Sequence, residues 1–196
     1  MRKVFFSFAW EDIWQVNQVR NSWVAQGRKF AGFIDKAKIE KLKLQTDKEI
    51  KMWINKQMHG TSVTCVLVGE NTNNSKWVKY EIEQSIKFNK GIVVIYIHNT
   101  KNSNGDIGKV GENPLSIYKK TLTEKFGKSI FLGGAVGVLA RFFPPTAPVA
   151  WALLGVFTVC QLFKSEESYR VYDWIEEDGR NNLSDWIEGA AQQAKR

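Results

Sequence analysis

The stretch SKWVKYEIEQSI, residues 75–86, places two carboxylates, Glu81 and Glu83, close to the aromatic residue Trp77. A carboxylate held beside an aromatic side chain can act in catalysis, for example as a fixed negative charge. At about 100° per residue, Glu81 shares a helical face with Trp77, whereas Glu83 points roughly the opposite way. Spacing alone leaves two interpretations open: Glu81 is a catalyst, or both glutamates are ordinary solvated carboxylates.

The elements around this stretch alternate between strand and helix. The predicted strands are the apolar or β-branched runs 3–8, 29–35, 62–69 and 91–98. The predicted helices are 11–27, 46–58 and 76–89. Thr46 and Glu49 in the sequence TDKE form a capping box that marks the start of the second helix. This alternation favours an α/β fold with a central parallel sheet flanked by helices.

After residue 98 the pattern changes. Residues 99–114 form a polar, Gly- and Asn-rich loop. The C-terminal piece contains the sequence YRVYDWI, to which the pattern assigns no element, and a last helix is expected to start near Ser184.

Topology predicts where a site should lie. An open parallel sheet binds ligands beyond the carboxyl ends of its strands, at the point where the strand order reverses. In a flavodoxin-like order this point lies between the first and third strands, beside the loops FAWEDIW and GENTNNS. The helix after the second loop carries Glu81 in its second turn, so Glu81 lies where a site is expected.

Composition narrows the classes of ligand. The net charge is +8, but no run of Lys and Arg exceeds two residues, so we expect no nucleic-acid partner. Cys65 and Cys160 lie in apolar runs and are expected to be buried thiols. His59 and His98 are isolated, without the spacing of metal ligands, so no metal site is expected.

Several blocks together resemble a known family. VFFSFAWED, NQVRNSWV, TSVTCVLVGENT, WVKYEIEQSI and YRVYDWIEEDG are similar, in this order, to the TIR-like proteins of the Thoeris bacterial antiphage system. The resemblance covers about residues 2–98 and 168–187. It implies a flavodoxin-like TIR fold and an enzyme that cleaves NAD at the nicotinamide–ribose bond. The ADP-ribose part would become a cyclic or conjugated signal that activates a partner effector. NAD is then the substrate, and no separate cofactor is expected.

The resemblance also implies roles for individual residues. The family's catalytic glutamate follows a W-V-x-Y motif, which identifies Glu81 and leaves Glu83 on the surface. The residues expected to bind NAD are Ser7, Phe8, Asp12, Asp35 and Trp77. Phe8 or Trp10 would stack on a base, although Trp10 could equally be packing, and Asp35 could instead cap a loop. Departure of neutral nicotinamide leaves an oxocarbenium-like ribose, which a single fixed anion can stabilise.

Residues 129–163 depart from the family. This stretch is 35 residues long and contains one charge, Arg141. Pro144 and Pro145 divide it into two apolar arms of about 22 Å each, shorter than the roughly 30 Å bilayer core. We therefore expect a TIR-like domain of residues 1–115 and 165–196, with an inserted apolar helical hairpin at 127–164.

Three interpretations of this hairpin stay open: a membrane hairpin, self-association in an assembly, or burial on the domain. Flanking lysines favour the membrane, with attachment to the cytoplasmic face of the bacterial inner membrane. These are Lys119, Lys120, Lys125, Lys128 and Lys164. Two alternative functions follow: a non-catalytic TIR scaffold, or an effector that disrupts membranes through the hairpin.

Overall fold

The computed structural model describes residues 2–27, 30–31, 44–118, 120 and 169–195. The chain divides into two compact units, Met1–Pro114 with Tyr169–Arg196, and Leu115–Ser168. The predicted hairpin at 127–164 lies outside the described residues, so its existence and its membrane association stay predictions. Within the described part of the chain, no helix is both long and apolar enough to cross a membrane.

The described strands form one parallel sheet in the first unit. They are β1 (Val4–Ser7), β2 (Phe30–Ala31), β3 (Val63–Val68), β4 (Gly91–Tyr96) and β5 (Arg170–Asp173). Their order is β2-β1-β3-β4-β5, and every neighbouring pair is parallel. This is the flavodoxin-like order, so the predicted fold class and its reversal point between β1 and β3 are confirmed.

Four described helices of the first unit cover this sheet. They are α1 (Ile13–Ala25), α2 (Asp47–Met58), α3 (Lys76–Lys87) and α4 (Gly179–Gln193). Short 3-10 turns precede two of them, Trp10–Asp12 before α1 and Thr72–Asn74 before α3. The predicted capping box is present at the start of α2, because Thr46 accepts from the Glu49 amide and Glu49 accepts from the Thr46 amide.

Strand register sorts the side chains into two layers, because successive residues of a strand point to opposite faces. Val4 and Phe6 belong to a core cluster that includes residues of α1 and α4. Phe5 belongs to a second cluster, formed with residues of α2 and contacted by residues of α3. All six residues of β3 are buried, as expected for a central strand covered on both faces.

Two details of the C-terminal piece differ from the sequence-based expectation. YRVYDWI contains β5, an edge strand whose Arg170 is exposed, so it lacks a continuous buried pattern. Helix α4 starts at Gly179, not near Ser184. The preceding residue, Asp178, has φ 47°, and a Cβ at Gly179 would collide with the Trp174 ring. The close approach of Gly179 to Trp174 explains why α4 starts this early. The first residues of α4 are weak helix formers, so their sequence does not predict the start.

Candidate active site

Helix α3 buries one of its two glutamates and exposes the other. Val78, Ile82 and Ile86 form the predicted apolar stripe and are at most 4% exposed. Glu81, beside this stripe, is 7% exposed, whereas Glu83 is exposed to solvent. The opposite placement predicted from helical phase is therefore confirmed, and the interpretation of two solvated carboxylates is wrong for Glu81.

The Glu81 carboxyl group is held by the end of strand β1. Ser7, the last residue of β1, is fully buried and donates a hydrogen bond from Oγ to Glu81 Oε2 at 2.6 Å. Burial raises the pKa of Glu81 to about 8, and the Ser7 hydrogen bond opposes this rise because it favours the ionised form. Burial therefore favours the protonated form of this carboxyl group at neutral pH.

A second chain of buried hydroxyls fixes the backbone at Glu81. Ser85 donates from Oγ to the Glu81 carbonyl at 2.7 Å. The Thr64 hydroxyl of β3 lies 2.7 Å from Ser85 Oγ, and since Ser85 has already used its only hydrogen, Thr64 is the donor. Helix α3 is thereby joined to β3 through Thr64 and Ser85, and to β1 through Ser7 and Glu81.

A cavity of about 340 Å³ opens beyond the carboxyl ends of β1 and β3, at the predicted reversal point. Its lining residues are Trp10, Glu11, Asn71, Asn74, Ser75, Lys76 and Trp77. Trp77 belongs to this lining and lies one helical turn before Glu81 on the same face of α3. The lining combines two aromatic rings, which suit planar groups, with amides and a hydroxyl that can form hydrogen bonds.

The residues expected to bind NAD occupy different environments. Trp77 lines the cavity and Ser7 contacts Glu81. Asp12 is partly buried and accepts a hydrogen bond from the Thr72 hydroxyl at 3.1 Å. Phe8 is 6% exposed and belongs to the core cluster on the α1 and α4 face, whereas Trp10 lines the cavity. Of these two aromatic residues only Trp10 borders this cavity, and it also packs against both core clusters, so both roles expected for Trp10 stay open.

One expected residue, Asp35, lies outside the described residues, and the binding roles of the other residues remain predictions. Sequence reasoning named the loop GENTNNS as part of the site without naming its individual residues. Asn71, Asn74 and Ser75 of this loop line the cavity, and the buried Thr72 lies beneath them. The available signal was position alone, because the loop follows a central strand at the reversal point.

A larger cavity, of about 820 Å³, lies at the opposite edge of the sheet, near the amino ends of β1 and β3. Two of its charged lining residues satisfy each other, because Arg2 donates to both carboxylate oxygens of Glu188 at 2.6 and 2.8 Å. Another, Lys3, donates to the His59 carbonyl at 3.1 Å. Among the described residues, this edge has no buried carboxyl group comparable to Glu81 near the smaller cavity, so we assign the candidate site to the carboxyl edge.

Comparisons with known proteins agree with this architecture. Residues 5–102, half of the chain, match the family model described as Thoeris protein ThsB, TIR-like domain. The chain is 36% identical over 190 residues to the Bacillus cereus (strain MSX-D12) protein named "Putative cyclic ADP-D-ribose synthase ThsB1". This alignment covers 95% of the present chain and 98% of the relative.

Among solved structures, the TIR domains of the activated Roq1 resistosome recognising the pathogen effector XopQ show a weak similarity. The TM-score is 0.41 and the sequence identity 16%, over 98% of this chain and 96% of that chain. The family match and the near-complete alignment with the Bacillus relative establish the family on their own. The chain belongs to the ThsB TIR-like family of Thoeris proteins.

Proposed function

We propose that this chain is an enzyme that cleaves the nicotinamide–ribose bond of NAD and makes an ADP-ribose-derived signal in antiphage defence. The observation that carries the proposal is the buried Glu81 carboxyl group, held by Ser7 one helical turn from a cavity with aromatic walls. Family membership supports the same assignment, as does the name of the Bacillus relative, which describes synthesis of cyclic ADP-D-ribose.

The chemistry requires a negative charge near the ribose. The nicotinamide ring of NAD is cationic and leaves as a neutral molecule, so positive charge moves onto the ribose as the bond breaks. Ionised Glu81 would stabilise this charge from a fixed position. Binding of the cationic ring favours the ionised form, so substrate should lower the pKa of Glu81 below its value of about 8.

The fate of the ribose then decides the product. Attack by water gives ADP-ribose, whereas attack by another group of the same ADP-ribose gives a cyclic product. In either case the nucleophile forms the bond to the ribose carbon that nicotinamide has left. The aromatic side chains of Trp10 and Trp77 could hold a base and limit the entry of water.

The test compares two glutamates on the same helix. The purified full chain is incubated with NAD, both dilute and concentrated, and its products are identified by mass spectrometry. We expect nicotinamide and an ADP-ribose product from the wild type and from Glu83→Gln, whose side chain is exposed. Glu81→Gln should lower the rate about 10²- to 10³-fold, as does removal of other fixed transition-state contacts. Equal turnover by Glu81→Gln and the wild type would show the assignment to be wrong.

We further propose that the product, and not the protein itself, activates a downstream effector. The experiment adds protein-free filtrates of the two reactions to a purified candidate effector protein. Activation by the wild-type filtrate and not by the Glu81→Gln filtrate supports a diffusible signal. Defence that persists in cells carrying Glu81→Gln would instead favour the non-catalytic scaffold.

Membrane attachment through residues 127–164 stays a proposal, which rests on the apolar composition of the segment 129–163. Deletion of 129–163 should move the chain from the membrane fraction to the supernatant while NAD cleavage continues. An unchanged distribution would exclude the hairpin as the anchor. Loss of toxicity with intact NAD cleavage would identify the hairpin as an effector in its own right.

A further inference from the structure

Thr72 is a fully buried threonine in the loop after β3, where this loop faces the loop after β1 at the carboxyl edge of the sheet. Its Oγ1 accepts a hydrogen bond from the Gly69 amide at 2.9 Å. The same oxygen donates to Asp12 Oδ2 at 3.1 Å, while the competing acceptor, the Leu67 carbonyl, is farther away at 3.5 Å. Because a hydroxyl has one hydrogen, Thr72 directs it to Asp12 and joins the loop after β1 to the loop after β3.

Gly69 allows this contact because it has no side chain. A Cβ at this position would lie 2.5 Å from the carboxyl carbon and both carboxylate oxygens of Asp12. The carboxyl group therefore lies directly against the Gly69 backbone. Gly111 in turn lies against the carbonyl of Gly69, so the loop that contains Gly111 supports this point from the other side. Asp12, Thr72 and Gly69 form a continuous contact, named here the loop link.

The loop link lies at the base of both walls of the cavity. Trp10 and Glu11, which line one wall, immediately precede Asp12 in the same 3-10 turn. Asn71 and Asn74, which line the other wall, flank Thr72. Neither Asp12 nor Thr72 is part of the lining, so their effect on a ligand would be exerted through these neighbours.

The charge on Asp12 depends on the same hydroxyl. Burial raises the pKa of Asp12 to about 6, the Thr72 hydrogen bond opposes this rise, and the nearby Glu11 and Glu70 carboxylates add to it. Loss of the Thr72 hydroxyl should therefore raise the pKa of Asp12 further and bring its protonation closer to neutral pH. If Thr72 only filled space and did not bond Asp12, its loss would leave the pKa of Asp12 unchanged.

We propose that Thr72 is a positioning residue of the candidate site, which sets the spacing of the cavity walls by bonding Asp12 to Gly69. This inference rests on the proposed function, because it assigns the cavity to NAD. It gives Asp12 a structural part in substrate binding in place of direct contact with the substrate.

The experiment compares Thr72→Val, which keeps the shape and removes the hydroxyl, with Thr72→Ser, which keeps the hydroxyl. Hydrogen exchange of the full chain without substrate is measured in peptides that cover residues 9–14 and 69–76. We expect faster exchange in both peptides for Thr72→Val and wild-type exchange for Thr72→Ser. Wild-type exchange in Thr72→Val would overturn the link itself. If Thr72→Val does not fold, Asp12→Ala provides the second variant, because it removes the acceptor of the Thr72 hydrogen bond and should speed exchange in the same two peptides.

Kinetics then test whether the link positions the substrate. Thr72→Val should raise the KM for NAD about tenfold, the expected result of losing one hydrogen bond to a charged group, with kcat changed less. Protonation of Asp12, whose pKa is about 6, should add a second fall in kcat/KM below the one that Glu81 produces near pH 8. This second fall should move to higher pH in Thr72→Val, Thr72→Ser should restore both it and KM, and Asp12→Asn should remove it. Faster exchange with unchanged KM and pH profile would overturn the positioning role. If the wild type does not cleave NAD, the proposed function fails, and the exchange data still decide whether the link holds the loops.

Discussion

On the face of the sheet covered by α1 and α4, Phe6 packs edge-to-face against Trp23, with ring centroids 6.0 Å apart. On the face covered by α2 and α3, Ser7, the next residue along β1, donates a hydrogen bond to a buried glutamate. The side chains that β1, β3 and β4 present to the first face are apolar. The second face also buries Thr64 and Ser85, whose hydroxyls are hydrogen-bonded to each other, and Ser85 also donates to the Glu81 carbonyl.

On the proposed function, this difference separates a face that supplies stability alone from a face that also carries the candidate catalytic group. Burying apolar area is favourable in itself, whereas burying a carboxyl group is unfavourable unless it is bonded or protonated. The stability that the α1 and α4 face, named here the apolar face, supplies therefore depends little on pH near neutrality. The α2 and α3 face, named here the polar face, carries Glu81, whose charge changes with pH. The contribution of Glu81 to stability must therefore change with pH as well.

The largest expected effect tests the apolar face. Trp23→Ala removes a side chain that is 1% exposed and should lower the free energy of unfolding by about 3–5 kcal/mol. Trp14→Ala, on the same helix, removes a side chain that is 53% exposed and should lower it by less than about 1 kcal/mol. Denaturant unfolding followed by circular dichroism measures both. Similar losses in the two variants would show that the apolar face does not carry the stability.

The next effect tests the polar face through pH. The pKa of Glu81 is raised by folding from 4.5 to about 8, so the folded state keeps a proton that the unfolded state releases. Stability therefore falls as pH rises through this window. Between pH 6.5 and 8.5 the wild type should lose about 2 kcal/mol relative to Glu81→Gln.

Glutamine is the matched replacement here, because its carbonyl oxygen can still accept the hydrogen bond from Ser7. Asp12, with a pKa of about 6, titrates mainly below this range. Parallel stability curves for the two proteins would show that Glu81 is ionised in the folded state throughout.

The elements of the fold differ in how far the sequence predicts them. The alternation of strands and helices and the capping box at Thr46 follow from local patterns that the structure confirms. The flavodoxin-like sheet order, which the family resemblance implied, is confirmed as well. The missed strand β5 is partly exposed at the sheet edge, where the hydrophobic pattern is weak. The start of α4 depends on a tertiary contact between Gly179 and Trp174, which no local pattern encodes.

The candidate site was predictable only in part, for the same physical reason. Helical phase is local, so it separates buried Glu81 from exposed Glu83. The bond between Ser7 and Glu81 joins residues 74 positions apart, and the bond between Asp12 and Thr72 joins residues 60 apart. Such contacts depend on the exact packing of loops and helices, so the sequence identifies the neighbourhood and the structure identifies the partners.

The third effect concerns catalysis by the polar face. If ionised Glu81 is the active form, kcat/KM for NAD should rise about tenfold between pH 7 and 9, because the free protein titrates with a pKa near 8. The profile of kcat should have its midpoint at lower pH, because the bound cationic ring favours the ionised carboxylate. Steady-state rates across this range measure both. A kcat/KM that falls over the same range would mean that the protonated acid is the active form.

The smallest expected effect separates two buried serines of the polar face. Ser7→Ala removes the hydrogen bond that favours the ionised carboxylate, so the midpoint of kcat/KM should move above 8 and its value at pH 8 should fall about threefold. Ser85→Ala removes a bond to the Glu81 backbone and leaves the Thr64 hydroxyl without its acceptor, so it should lower stability by about 1–2 kcal/mol without moving the midpoint. A midpoint that moves equally in both variants would mean that the shift reports general loosening of α3, and Ser7 would then have no specific hold on the carboxyl group.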